Sequence, residues 1–178
     1  IPSRLVGSEM CIRDSIHLAV FKKKDTRTVY NMMYRDGKGG ASYMKRFSVT
    51  GVTRDKDYDL TPGKSNTMVH YFTANPNGEA EVVTVLLRAV GSIKKLKWDI
   101  DFADLAVKGR GVRGNTITKF AIRKVEFKSS GVSTLKPRKI WFDDAVQRLN
   151  VDARGELLGE FRAEDKILIA TQSGKIKA

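Results

Sequence analysis

Negative charge, histidine and cysteine are all scarce in this chain. Its 178 residues carry 20 acidic against 33 basic side chains, a formal net charge of +13. Summed positive potential draws phosphate chains, so a polyanion is the leading partner class, with a strongly acidic substrate behind it. The single cysteine, Cys11, has no partner within the chain, which excludes an intrachain disulfide framework and fits a reducing compartment. The two histidines, His17 and His70, stand far apart with no evident Ser, Cys or Asp partner, so no nucleophilic triad is legible. The longest apolar stretch, Val82 to Val90, is short and broken by Arg88, and nothing reads as a bilayer-spanning segment. The expectation is a soluble, cytoplasmic protein with no membrane partner. An apolar content of 41% is enough for a packed core.

The first fifteen residues, "IPSRLVGSEMCIRDS", resemble translated sequencing-adapter read-through and are expected to be non-native. They lack the pattern of a signal peptide. Arg4 and Arg13 cancel Glu9 and Asp14, so the whole +13 sits on residues 16–178. That remainder is expected to be a single domain, cut short at its C-terminus.

Strand signals dominate it. "KWDIDF" alternates Trp98, Ile100 and Phe102 with Asp99 and Asp101, the period of two expected of a half-buried strand. "TMVHYFTANPNGEAEVVTVLL" reads as a hairpin about Asn77 and Gly78, and "DKILIATQSGKIKA" as another about Gly174. The segments "GKGGASYMKRFSVTGV" and "GRGVRGNTITKFAIRKV" align with Phe47 on Phe120, Val49 on Ile122 and Val52 on Val125. That recurrence points to repeated all-β units such as propeller blades. "DDAVQRLNV" is compatible with one helical turn, and residues 52–66 read as a polar connection.

Several motifs invite a chemistry that their context withholds. Gly109, Gly111 and Gly114 match G-x-G-x-x-G, but β-branched and aromatic residues follow where a dinucleotide fold needs a helix, and Arg110 and Arg113 fill the variable positions. Glycines that free the backbone, with arginines reaching outward, suit a loop lying along a phosphate backbone; the plainer reading is a turn with solvated arginines. Gly63-Lys64-Ser65 resembles the tail of a nucleotide-binding P-loop, yet the required earlier glycine is Tyr58. Asp99, Asp101 and Asp104 have no His or Cys nearby and read as a solvated face rather than a metal site.

The basic residues form clusters. Lys22, Lys23, Lys24 and Arg27 crowd one turn, and Arg35, Lys38, Lys45 and Arg46 surround the first glycine loop. Lys108, Arg110, Arg113, Lys119, Arg123 and Lys124 surround the second, and Lys136, Arg138 and Lys139 form a further group. Together they predict a positive rim that binds nucleic-acid backbone without reading bases, and a duplex in preference to single strands because few aromatics alternate with the charges.

The strings "YRDGKGGASYMKRFSVTGVTRDKDYDL", "YFTANPNGEAEVV", "DLAVKGRGVRGN", "PRKIWFDDAVQRLN", "GELLGEF" and "DKILIATQSGK" resemble the C-terminal region of the A subunit of bacterial type II topoisomerases. This is the DNA gyrase and topoisomerase IV family, in its Bacteroidetes form, and the resemblance spans residues 16–178. It implies an all-β fold, a partial β-pinwheel of propeller-like four-stranded blades whose basic edge binds and bends duplex DNA. It further implies an A2B2 assembly with the rest of the A subunit and the B subunit, in a nucleoid-associated setting. The family's catalytic tyrosine and its neighbouring arginine lie outside this region, and ATP and magnesium are handled mainly by the B subunit. No catalytic residue, metal or cofactor is therefore expected here. The box resembling Q-R-R-G-G-K-G of DNA-wrapping gyrases has only partial counterparts, Gly37–Gly40 and Gly109–Gly111, which leans toward a topoisomerase IV-like role. A β-propeller adaptor for an acidic protein and an RNA-binding module remain the alternative readings.

Overall fold

The structure is a computed structural model and describes residues 15–22, 25–91, 93–162 and 165–177. Its strands run β1 (Val29–Arg35), β2 (Ser42–Ser48), β3 (Met68–Asn75), β4 (Glu79–Leu87), β5 (Lys97–Asp101), β6 (Val107–Gly109) and β7 (Asn115–Thr118). They continue with β8 (Ile122–Ser133), β9 (Arg138–Asp143), β10 (Arg148–Asn150), β11 (Glu156–Phe161), β12 (Ile169–Ala170) and β13 (Ile176–Lys177). A single 3-10 turn, Phe102–Asp104, follows β5. The architecture is all-β, a partial β-pinwheel of small sheets with no closed barrel among the described residues.

The largest sheet runs β3-β1-β2-β6, with β7 also paired to β2. Both faces of its central pair are covered, which is why "VYNMMYR" and "SYMKRFS" are buried almost continuously instead of at alternate positions. Met33 and Met44 join Val83, Val85, Leu87, Phe102 and Ile122 in one core on the side of the sheet β5-β4-β8. Met32, Tyr34 and Phe47 point to the other face, against Tyr30, Tyr43, Leu60 and Phe72. Fully burying each such side chain contributes roughly 1.5–3 kcal/mol. No described residue after Ile122 is buried, so the sheet β10-β9-β11 and the hairpin β12-β13 stand on turns and hydrogen bonds rather than on a core.

"KWDIDF" behaves as its alternation predicts: Phe102 is fully buried, Trp98 and Ile100 half-buried, and Asp99 exposed. The C-terminal hairpin forms as well, with Gly174 at φ +75° donating its N–H to Thr171 O at 2.9 Å. The chain between β2 and β3 is strand-free, as expected of the polar connection.

The hairpin expected about Asn77 and Gly78 does not form. Gly78 N–H does bond Asn75 O at 3.0 Å, but β3 pairs with β1 while β4 pairs with β5 and β8. A two-residue hairpin of the favoured kinds needs positive φ at its first central residue. Pro76 occupies that position with its ring-locked negative φ, so the turn splays the two strands into different sheets. The segment Asp144–Gln147 is the turn of the β9-β10 hairpin, with Gln147 at φ +50°, and not a helical turn.

The aligned glycine segments are not equivalent in space either. Phe47 is buried while Phe120 is 48% exposed. The first glycine loop is the β1-β2 connection, whereas the second joins two short strands that both lie on the free edge of β2.

Candidate nucleic-acid interface

The edge of β2 organises the region. Parallel β6 pairs with Arg46–Ser48, antiparallel β7 pairs with Ser42–Met44, and the loop from Arg110 to Gly114 arches over Lys45 between them. Lys45 is only 4% exposed. Its ammonium donates to the carbonyl oxygens of Leu60, Arg110 (2.6 Å) and Val112 (3.1 Å), and it lies 4.8 Å from the Phe47 ring centre. Burial pulls its pKa from the ordinary 10.5 down to about 8. Tyr34, wholly buried, donates its hydroxyl to Arg113 O at 2.7 Å; burial, aided by the Asp36 charge, pushes that phenol up to about 12. The loop therefore hangs by its carbonyls from Lys45 and Tyr34.

Two arginines brace its outer side. Arg110 lays its guanidinium 3.6 Å above the Tyr58 ring and donates to Gly51 O at 2.8 Å. Arg113 sits 5.7 Å above Tyr43, which in turn stacks on Tyr34. Gly114, at φ +96°, has no room for a Cβ, which would stand 2.4 Å from Met44 O. Gly109 and Gly111 have open space at that position, so packing does not require them to be glycine. Gly114 leads directly into β7, and no helix N-terminus is present to receive a pyrophosphate.

The clustered cations fall into distinct classes. Lys22, Lys38, Lys108, Arg113, Lys119, Arg123, Lys124, Lys136, Arg138 and Lys139 are exposed, and Arg27, Arg35 and Arg110 are half-buried. Lys23 and Lys24 lie outside the described residues. Lys45 and Arg46 require a correction, because their charged ends are committed inside the protein and are not on the rim. Arg46, 1% exposed, donates to Asn31 Oδ1 (3.1 Å), Thr134 Oγ1 (2.9 Å) and Gly78 O (3.0 Å). Neighbouring strand residues point to opposite faces, and β2 has both faces covered, so neither side chain reaches solvent.

Some exposed charges are also partly neutralised. Lys124 pairs with Glu126 at 2.8 Å and Lys139 approaches Glu160 at 3.9 Å, while Lys128 pairs with Asp99. Asp99 also accepts from Thr84 Oγ1 at 2.6 Å, and Asp101 accepts from the Ala103 N–H as the cap of the 3-10 turn. The two carboxylates thus have structural partners of their own.

Sequence reasoning missed the contribution of the polar connection. Tyr58 is the platform for Arg110 and has Lys56 at 5.5 Å on its ring. The one legible signal was an aromatic inside "DKDYD".

Among the described residues the strands group in small sheets with no α-helix, an arrangement consistent with a module of the pinwheel class. The family model described as "Topoisomerase C-terminal domain, Bacteroidota" matches residues 7–130 and 148–178, and the chain belongs to that family. The match begins inside the segment set aside as non-native. No curated protein and no solved structure matches the chain. Membership places it in a topoisomerase. No helix among the described residues is long and apolar enough to cross a membrane.

Proposed function

We propose that this chain binds and bends duplex DNA for a bacterial type II topoisomerase, contributing no cleavage or ATPase chemistry of its own. The observation that carries the reading is the loop from Arg110 to Gly114, whose carbonyl oxygens are drawn inward by Lys45 and Tyr34. A loop held that way keeps its negative ends away from the surface. It presents Arg113, with Lys108 on β6 and Lys119 just beyond β7, to a phosphate chain. Bending a duplex along such an edge costs on the order of a few kcal/mol, offset by the added phosphate contacts.

In the full enzyme, the chain would form part of the A subunit in an A2B2 assembly, in the cytoplasm at the nucleoid. The partial counterparts of the wrapping box favour a topoisomerase IV-like role in decatenation and relaxation over tight wrapping. ATP and magnesium would be handled mainly by the B subunit.

The test is an electrophoretic shift of short linear duplex and of circular DNA over a salt series, with linking number read on the circles after relaxation. Binding that weakens steeply with salt, at a slope of about −0.9 per phosphate contacted, and a changed linking number are expected. Failure to bind duplex at low salt, or binding indifferent to salt, rejects the reading. Competition by structured RNA that outpaces duplex DNA would favour an RNA partner.

A further inference from the structure

A shallow, open depression of about 500 Å³ lies away from the glycine loop, between the two main sheets. Its floor is Leu87 of β4, Trp98 of β5 and Ile117 of β7, together with Ile93 from the β4-β5 connection. Phe120 stands at its mouth, 48% exposed, and Lys94 and Lys95 form the rim, both exposed. No carboxylate is among the described residues lining it.

Each feature restricts the occupant. An open, shallow shape does not enclose a small ligand, which pockets normally bury by most of its surface. An apolar floor, whose polar side-chain groups between the lysines are the Trp98 indole N–H and the Thr118 hydroxyl, has few groups with which to read a base edge or a sugar. It does fit one large apolar side chain, the kind of desolvated anchor that dominates protein contacts. Two lysines with no lining carboxylate select negative charge beside that anchor.

We infer that this depression is a docking site for an acidic protein segment, with one aromatic or large aliphatic residue seated on Trp98 and Ile117 and flanking carboxylates on Lys94 and Lys95. No residue of the Arg110–Gly114 loop lines this surface, although Lys119 stands between its lining residues Thr118 and Phe120, so it offers the chain a protein partner beside the proposed DNA-binding loop.

Trp98 reports on the site directly. The full chain carrying Trp141→Phe has Trp98 as its only tryptophan. Its fluorescence is titrated with three probes at physiological ionic strength: the peptide Glu-Asp-Phe-Glu-Asp-Leu-Glu, the same peptide with alanine for Phe and Leu, and an oligothymidylate. Saturable change with the first peptide is expected, at least 10-fold tighter than with the alanine peptide. Lys94→Glu with Lys95→Glu, or Phe120→Ser, should each weaken it at least 10-fold. These positions are exposed, so the fold should survive the substitutions, and circular dichroism checks it. Equal binding of both peptides would reduce the site to general polyanion attraction and overturn the inference. So would no binding by the first peptide, or a stronger Trp98 response to the oligothymidylate, which would make the site a base-stacking surface. Duplex affinity measured on the same variants separates this result from the DNA reading, since loss of peptide binding alone leaves the duplex shift in place.

Discussion

The guanidinium of Arg46 donates to the carbonyl oxygen of Gly78 at 3.0 Å, tying the middle of β2 to the turn where the chain leaves one sheet for the next. The same side chain reaches Asn31, whose amide donates to Glu81 at 2.7 Å, and Glu81 accepts from Thr73 as well. A cation and a carboxylate are thus linked through one amide across the two sheets. Burial lowers the Arg46 pKa, with the Asp101 and Glu81 charges opposing the shift.

Removing Arg46 leaves Asn31 Oδ1 without its donor, takes one donor each from Thr134 Oγ1 and from the Gly78 carbonyl, which keeps the Thr134 N–H, and removes the cation that offsets the buried Glu81 charge. Arg46→Met should cost about 3–5 kcal/mol, and Arg46→Lys should recover less than half of that because an ammonium cannot form the same planar fork. Urea unfolding of the variants measures both. A loss under about 1 kcal/mol for Arg46→Met would show the network to be dispensable.

The Lys45 proton makes stability depend on pH. Its folded pKa is about 8 against the ordinary 10.5, so between those values the unfolded chain holds a proton that the folded chain has released. Stability therefore rises with pH across that window, and below it the penalty for burying the charge is fully present. Urea unfolding of the parent and of Lys45→Met at pH 7, 8, 9 and 10 should show the parent gaining on the variant step by step. A constant difference would place the Lys45 pKa at its ordinary value.

The glycines of the loop should separate packing from function. Gly114→Ala meets Met44 O and a left-handed backbone together, and should destabilise by about 2 kcal/mol or more. Gly111→Ala enters open space and should leave stability within about 0.5 kcal/mol. If the backbone at Gly111 lies close to phosphate, that same substitution should still weaken duplex binding several-fold in the shift assay.

Charge reversal should rank the cations by their local company. Reversing Lys108, Arg113 and Lys119 together should weaken duplex binding at least 100-fold and flatten the salt slope, while Lys124→Gln, at a position already paired with Glu126, should change it less than 3-fold. Equal effects from both would mean that net charge alone governs binding.

Hydrogen exchange should divide the chain at Ile122. Amides of β1, β2 and β4, which carry the core, should exchange slowest, and those of β9 to β13, where no described residue is buried, should exchange by local opening at least 100-fold faster. Uniform protection along the chain would require a core that these strands do not display.

What was legible locally was what local chemistry decides. The alternation in "KWDIDF", the turn at Gly174 and the family strings each depend on residues close together in the chain, and each was readable. The β3-β4 hairpin that the flanking apolar runs predict is not formed, because Pro76 blocks the tight turn and each strand pairs instead with a distant partner. The basic clusters were legible as charge, but Lys45 and Arg46 cannot be told from Lys38 or Lys108 by composition.

The sequence by itself determined an all-β chain with a large positive surplus and membership of a topoisomerase family. Only the tertiary structure decided which cations face solvent. Both faces of β2 are covered, and its edge is closed by β6, β7 and the loop between them, so two adjacent cations that would flank an exposed strand are turned into internal donors. Burial of a charge depends on carbonyl oxygens brought from Leu60, Gly78, Arg110 and Val112, all far from β2 in the chain. No local pattern encodes that meeting.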